Sequence, residues 1–321
     1  MHKPIYREAL KEAWLLTWRN TSLWLIGLIS VLFAGSFGLG NFISQLIATM
    51  ASGGRAAWLL AFHMPSLGAS GISAIFWLIW LCGIMIILAL AVMFVSVTAK
   101  TSLLIAVADH YKKQTVPKLS YIWNQGLKYF WKIFTIELAR KVALLLIGII
   151  FGIIWILLPF NNGIWNAILD ILALSFSIIL AWVVTAVSVF ASGYVVIDGK
   201  SLKHALKRSW KLFHEHLFVS FEVSALLTLI DILLIAVFIA IVWVAFIPSI
   251  LVWVVAGIFG SQAIALFGVI LGFVLFAVIV ALAGGIYNTF YTGVWMYLFM
   301  KMHHEGIMSR IFHHAKNFWG K

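Results

Sequence analysis

Ionisable side chains within apolar runs of the sequence are costly and must have a partner or a purpose, and four of them stand out. Asp231 is flanked by leucine and isoleucine, and Glu222 precedes it in the same run. Glu137 and Arg140 lie near the start of another apolar run. A charged side chain at the centre of a bilayer costs about 2.5–3.5 kcal/mol on insertion scales. We therefore take these four residues as a candidate intramembrane polar site.

Two interpretations are open for Asp231. Its carboxyl group could face the interior of a helix bundle and bind a proton or a cation during transport. Alternatively, it could be a buried, protonated carboxyl that is hydrogen-bonded to a neighbouring serine or threonine. Glu137 lies three residues from Arg140 and four from Lys141, and either spacing predicts a local ion pair on one helix. A bridge from Glu222 to Arg140 is the alternative that the sequence leaves open.

Small and hydroxyl-bearing residues recur at intervals of three and four in one apolar run, so they share one face of a helix. They are Ser177, Ala181, Thr185, Ser188 and Ser192. Glycine pairs in other runs are Gly148 with Gly152, Gly268 with Gly272, and the adjacent Gly284 and Gly285. Small side chains let membrane helices approach closely, so close packing is the expected role of both patterns. A polar conduit is the alternative for the hydroxyl-bearing face.

Another pattern occurs three times: a small residue, leucine, lysine, two variable residues, tryptophan, one variable residue, and leucine or isoleucine. The copies are residues 9–16, 126–133 and 205–212, and each precedes a long apolar run. Tryptophan favours the membrane interface and lysine favours anionic headgroups, which makes these side chains candidate lipid-interface residues. They are Lys11, Trp14, Lys128, Trp131, Lys207, Arg208, Trp210 and Lys211.

The composition identifies the solvent around the helices that carry these residues. Hydrophobic residues make up 64% of the 321-residue chain and charged residues only 10%, whereas soluble domains carry about 25% charged residues. Lipid offers no water to backbone polar groups, so the spans must be helices or a closed barrel. The apolar runs are continuous rather than alternating, which favours helices of about 20 residues.

The apolar runs predict six transmembrane helices. Their approximate bounds are 21–40, 74–98, 134–158, 166–197, 217–246 and 265–300. Lysine and arginine are concentrated in the N-terminal stretch, in alternate links and in the C-terminal tail, whereas the other links hold only Arg55. Because basic residues favour the cytoplasmic side, this distribution predicts a multi-pass protein of the cell membrane with both termini in the cytoplasm.

Each repeat copy lies before a span that leaves the cytoplasm. Its leucine and tryptophan are four residues apart on an apolar face, and its lysine lies on the polar face. We therefore expect an all-α integral membrane protein, one transmembrane domain of three hairpins that are each preceded by a cytoplasmic amphipathic helix. The hairpin units are approximately residues 1–98, 99–198 and 199–302, and residues 303–321 form a basic cytoplasmic tail. The amphipathic helices could sense lipid, or they could be structural collars that orient each hairpin.

Few patterns in the sequence indicate catalysis or metal binding. The chain lacks a glycine-rich phosphate loop, a G-x-S-x-G elbow and an H-E-x-x-H motif. The single cysteine, Cys82, lies in an apolar run and has no cysteine with which to form a disulfide. The pairs His303–His304 and His313–His314 are too far apart on a helix to share one ion. We expect no enzymatic activity, no cofactor and no bound metal.

One segment carries a family resemblance. Val195–Trp210 ends an apolar run, continues through an Asp-Gly turn and enters a helix with an Ala-x-x-Arg-Ser-Trp pattern. It resembles the corresponding segment of bacterial six-span membrane proteins, among them the membrane domain of some glycerophosphoryl diester phosphodiesterases and related proteins of unknown function. The resemblance implies a helical membrane module. The soluble phosphodiesterase domain has no counterpart in this sequence, so its activity is not implied.

These observations predict a non-enzymatic integral membrane protein that serves as a scaffold or as an envelope-homeostasis module. The alternative is a small transporter or channel-like protein that uses Asp231 as an intramembrane polar site. We expect membrane lipids, anionic lipids among them, as partners. Nucleic acid is not expected, because the basic residues behind the net charge of +12 lie beside membrane spans. The sequence leaves protein partners and any substrate open.

Overall fold

The computed structural model describes residues 5–34, 72–113, 115–157 and 164–305. Within these ranges the chain is helical almost throughout and contains no strand, which confirms the all-α class. The helices are α1 (Ile5–Arg19), α2 (Ser22–Ala34), α3 (Ile72–Lys113), α4 (Leu119–Leu157), α5 (Ile164–Asp198), α6 (Leu202–Glu215), α7 (Leu217–Phe259) and α8 (Gln262–Glu305). The link that contains Arg55 and the tail beyond residue 305 lie outside the described residues.

Four segments of the described helices are long and apolar enough to cross a membrane. They are Cys82–Lys113 in α3, Ile168–Asp198 in α5, Leu217–Phe259 in α7 and Gln262–His303 in α8. These are the helices of a multi-pass membrane protein. The first predicted span coincides with α2, where the apolar segment is the shorter Ser22–Val31. The third lies in α4, whose C-terminal part Val142–Leu157 is uniformly apolar.

The longest helices extend well beyond a bilayer. Helix α8 has 44 residues and is therefore about 66 Å long, whereas the hydrocarbon core of a bilayer is about 30 Å thick. Its apolar side chains between Leu266 and Leu282 are mostly exposed, whereas every residue from Asn288 to Met296 is buried. Helix α3 is divided in the same way, with burial continuous from Ser96 to Ala108. Protein surrounds one part of each helix, and the exposed apolar part is suited to lipid.

Helices α3 and α4 are both longer than the second and third predicted spans that they contain. Helix α3 continues past residue 98 to Lys113, because the residues between Val97 and Ala108 are mostly apolar or small and pack inside the protein. Helix α4 joins the second repeat copy to the third predicted span without a break. No glycine or proline interrupts residues 127–147, so nothing in the sequence ends the helix there. The second copy is therefore part of a longer helix rather than a separate amphipathic helix.

Helices α7 and α8 are joined by a turn of two residues, Gly260 and Ser261. Gly260 has a φ of 62°, which glycine adopts without strain, and its amide donates to the carbonyl oxygen of Ala256. Residues 247–264 are helical on both sides of this turn. Pro248 lies inside α7.

The α7–α8 pair keeps an antiparallel register along its length. Near the turn, the Ser249 hydroxyl donates to the carbonyl oxygen of Gly268 over 2.6 Å. Far from the turn, the hydroxyl of Tyr287 donates to the carboxylate of Asp231 over 3.0 Å. A Cβ atom on Gly272 would lie 2.8 Å from the Ser249 hydroxyl oxygen. The close approach predicted for the Gly268–Gly272 pair is therefore confirmed.

Contacts between residues of the chain define two compact units. The first unit contains α1, most of α2, the end of α3 from Ser102, and α7 and α8. Helix α8 contacts the other helices of this unit through small residues. Gly293 lies against α1, where an added Cβ would be 3.0 Å from the Cβ of Ala13. The hydroxyl of Tyr111 on α3 donates to the Gly293 carbonyl oxygen over 3.2 Å.

Helices α2 and α8 approach at backbone distance within the first unit. A Cβ on Gly27 would lie 2.5 Å from the Gly285 carbonyl oxygen. Thr289 donates its hydroxyl to the Leu23 carbonyl oxygen over 3.1 Å. The Asn288 amide donates to the Gly27 carbonyl oxygen over 3.1 Å and also to the Ser30 hydroxyl. Glycine on both helices thus brings buried polar side chains within reach of the partner backbone.

The second unit contains α3 up to Thr101, α4 from Trp123, α5, and α6 up to Phe213. Aromatic pairs connect its successive helices. Their ring centroids are 4.8 Å apart for Phe94 and Phe130, 6.0 Å for Phe151 and Phe176, and 5.2 Å for Trp182 and Phe213. A Cβ added at Gly152 would have no described atom of a neighbouring helix within 4 Å. The close approach expected at the Gly148–Gly152 pair is therefore absent at Gly152 among the described residues.

We predict that Gly285→Ala destabilises the protein whereas the adjacent Gly284→Ala does not. A Cβ on Gly285 would overlap the carbonyl oxygen of Trp24, which is backbone and cannot move aside, whereas Gly284 has open space. Overpacking of this kind costs about 1–3 kcal/mol. Thermal unfolding in detergent micelles should show a lowered Tm for Gly285→Ala only. Equal melting temperatures for the two variants would contradict the α2–α8 contact.

Candidate functional site

Three charged side chains form a buried cluster in the second unit. The Glu137 carboxylate accepts a hydrogen bond from Lys100 Nζ at one oxygen and from Arg140 Nη2, 2.7 Å away, at the other. The side chains of Lys100, Glu137 and Arg140 are 8%, 2% and 4% exposed. The ion pair that the spacing of Glu137 and Arg140 predicts is confirmed. Lys100 was not predicted, although a lysine among the small and apolar residues of α3 was a visible signal.

This cluster joins α3 to α4. Both oxygens of the Glu137 carboxylate are occupied by charged donors. A carboxylate held in this way is poorly suited to proton transfer, because it would have to leave two charge-assisted hydrogen bonds. Removing one partner of a buried ion pair leaves an uncompensated charge and is strongly destabilising. The geometry is therefore that of a structural clamp.

Asp231 has a different environment in the first unit. It is partly buried, and the hydroxyl of Tyr287 on α8 donates to its Oδ1 over 3.0 Å. The interpretation of Asp231 as a hydrogen-bonded carboxyl expects serine or threonine as the donor, and the donor is instead a tyrosine. Tyr287 begins a series of aromatic residues one helical turn apart, with centroid separations of 5.7 Å to Tyr291 and then 6.3 Å to Trp295.

Two of the four residues of the candidate polar site belong to each compact unit. Glu137 and Arg140 are paired in the second unit. Glu222 and Asp231 belong to the first unit, where both lie on α7 and are partly buried. They are nine residues apart on one helix, which separates them by about 13 Å along its axis. Asp231 and Tyr287 form a polar pair between the two apolar helices α7 and α8.

The hydroxyl-bearing face of α5 is buried and internally satisfied. Ser177, Ala181, Thr185, Ser188 and Ser192 are all buried. Each hydroxyl group donates to a backbone carbonyl of its own helix, three or four residues earlier, over 2.7–2.9 Å. Hydroxyl groups used in this way present a small, nearly apolar surface to neighbouring helices. This geometry favours close packing over a polar conduit.

The three repeat copies have the same pattern of burial. Their first, fifth and eighth residues are buried in every copy: Ala9, Ala13 and Leu16; Gly126, Phe130 and Ile133; Ala205, Ser209 and Leu212. Residues at i, i+4 and i+7 lie on one face of a helix, so the same face is buried each time. The shared pattern supports a common structural role for the copies.

The tryptophan of every copy lies outside this buried face. Trp14, Trp131 and Trp210 are 51%, 74% and 56% exposed. The lysines at the third position, Lys11, Lys128 and Lys207, are exposed as well. The leucine of the pattern is exposed or partly exposed in all three copies. The Leu–Trp pair predicted on an apolar face therefore faces outwards, which leaves it available to lipid rather than to the protein core.

The third copy begins directly after a structured turn. Helix α5 ends at Asp198, and Gly199 has a φ of 64° that glycine tolerates. The Ser201 hydroxyl and His204 Nδ1 lie 2.9 Å apart at the start of α6. Arg208 lies 4.0 Å from the Asp198 carboxylate across the turn. Lys207 and Lys211 are exposed on the same helix.

The described residues contain no group of three or more histidine, cysteine, aspartate or glutamate side chains that could hold a metal ion. Cys82 is an exposed free cysteine. No protein-family model, curated protein or solved structure matches the chain.

We predict that Glu137→Gln lowers the free energy of unfolding by about 3–5 kcal/mol, because two buried cations then lose their counter-charge. The matched control is Lys113→Ala, which breaks the pair between Lys113 and Asp109, 3.8 Å apart at the protein surface. Exposed pairs contribute about 0–1 kcal/mol. Denaturant unfolding in micelles measures the free energy of unfolding of both variants. A decrease for Glu137→Gln as small as that for Lys113→Ala would contradict the structural clamp.

Proposed function

We propose that the protein is a non-enzymatic membrane scaffold or envelope-homeostasis module, built from six transmembrane helices in three hairpins. The observation that carries this proposal is the use of buried polar groups. Glu137 holds α3 to α4, and Asn288 and Thr289 hold α8 to α2. The hydroxyl groups on the buried face of α5 are bonded within their own helix. Polar groups engaged in this way stabilise a fixed arrangement of helices.

The distribution of charge supports the topology of the proposal. The basic repeat copies and the turn at Ser201 belong to the cytoplasmic side, and the uncharged turn at Gly260 and Ser261 belongs to the opposite side. Both termini are then cytoplasmic, in the cell membrane. The resemblance of Val195–Trp210 to bacterial six-span membrane modules agrees with this reading.

Cysteine labelling tests this topology. In a Cys82→Ala background, Ser261→Cys should react with a membrane-impermeant maleimide on intact cells, because the α7–α8 turn faces outwards. Ser201→Cys should react only after the membrane is permeabilised. Labelling of both positions from the same side would refute the six-span arrangement.

A small transporter or channel-like protein is the second candidate function, and the Asp231–Tyr287 pair favours it. A carboxyl group within an apolar helix is expensive. Tyr287 contributes one hydrogen bond to it, from the facing helix. A proton- or cation-linked site would need water to reach this pair from at least one side of the membrane.

Water accessibility around Asp231 distinguishes the two functions. Single cysteines at positions 227–235, in the Cys82→Ala background, should resist a membrane-impermeant thiol reagent if the protein is a scaffold. Transport instead requires a labelled face that recurs every three to four residues and includes position 231. Such a face, together with pH-dependent liposome flux that Asp231→Asn abolishes, would replace the scaffold with the transporter.

A further inference from the structure

We propose that the three repeat copies are equivalent binding sites for the headgroups of anionic phospholipids, and that the third copy is the strongest. In each site the lysine at the third position binds the lipid phosphate. The tryptophan at the sixth position lies beside this lysine at the membrane interface. This deepens the proposed function and rests on the membrane topology given there. It adds a defined lipid partner and the residues that recognise it.

The shared burial pattern exposes the same two positions in all three copies. The i, i+4, i+7 face that holds each copy against the protein leaves the third and sixth residues exposed. These two residues are three apart, so they are neighbours on the helix surface. In the second copy they are Lys128 and Trp131, which are continuous with the apolar outer surface of α4.

The depth of this pair in the membrane follows from the continuity of α4. Exposed residues recur along one face of the helix: Lys128, Trp131, Leu138, Val142, Leu145 and Ile149. Residue 146 is the centre of the predicted span 134–158, and Trp131 lies about 22 Å from it along the axis. Half the thickness of a bilayer with its headgroups is about 20–22 Å. Trp131 therefore lies at the outer edge of the headgroups, and Lys128 lies one turn further out, from where its long side chain can extend back to a phosphate group.

The charge around the sites selects anionic lipid over zwitterionic lipid. Helix α6 has four basic residues, Lys203, Lys207, Arg208 and Lys211, and one acidic residue, Glu215. Helix α1 is less basic, because it has Arg7, Lys11 and Arg19 together with Glu8 and Glu12. An anionic surface attracts basic side chains near it, and the attraction adds over the residues. We therefore expect the affinity for anionic lipid to be highest at the third copy and lowest at the first.

Native mass spectrometry of the purified full-length protein tests the proposal, with an equal mixture of phosphatidylglycerol and phosphatidylcholine as the probe. The protein should retain phosphatidylglycerol preferentially, with up to three tightly held molecules. Lys207→Ala should weaken retention at one site about fivefold, which corresponds to about 1 kcal/mol. The triple variant Lys11→Ala, Lys128→Ala, Lys207→Ala should lose the preference for phosphatidylglycerol.

Matched controls separate these sites from general surface charge. Lys118→Ala removes an exposed lysine outside the repeat and should leave retention unchanged. Trp131→Leu should lower retention, whereas Trp243→Leu should not, since Trp243 is 70% exposed but has no basic neighbour in α7. An unchanged preference in the triple variant, or an equal loss in Lys118→Ala, overturns the proposal. A further outcome would also overturn the proposal: an acidic protein co-purifies with the wild type but not with the triple variant, while phosphatidylglycerol retention is the same in both. The surface would then bind a protein rather than a lipid.

Discussion

The close approach of α2 and α8 at Gly27 and Gly285 is the contact on which the first unit depends. Because neither glycine has a side chain, Asn288 and Thr289 can reach the backbone of α2. In lipid the hydrophobic effect does not draw apolar helices together, so association relies on such contacts and on interhelical hydrogen bonds. Helix α8 contacts α1 and α7 in the same manner, and it is therefore the central helix of the unit.

Charge is used in two ways in the described residues. Inside the protein, Glu137 is held by Lys100 and Arg140, and that cluster joins two helices. On the surface, the lysines of the repeat copies stand beside exposed tryptophans. The interior charges stabilise the arrangement of helices. The surface charges carry the lipid contact that we propose, so this division agrees with the proposed scaffold.

Local features of the structure could be predicted because they depend on residues close in sequence. The Glu137–Arg140 pair follows from a spacing of three on one helix, and the continuous apolar runs give the helical class. Lys100 and Tyr287 could not be assigned to their partners in this way. Lys100 lies 37 residues from Glu137, and Tyr287 lies 56 residues from Asp231. Which lysine or tyrosine faces a given carboxylate depends on how distant helices are positioned.

The sequence by itself determined that the chain is helical, that lipid is its solvent, and that one eight-residue pattern occurs three times. Only the tertiary structure decided which face of that pattern is buried. Hydrophobicity cannot make this distinction in a membrane protein, because a side chain that faces lipid is as apolar as one that faces another helix. Packing makes it, because Ala13, Phe130 and Ser209 at the fifth position all lie against the protein. The bulky Trp14 and Trp210 are left on the outside.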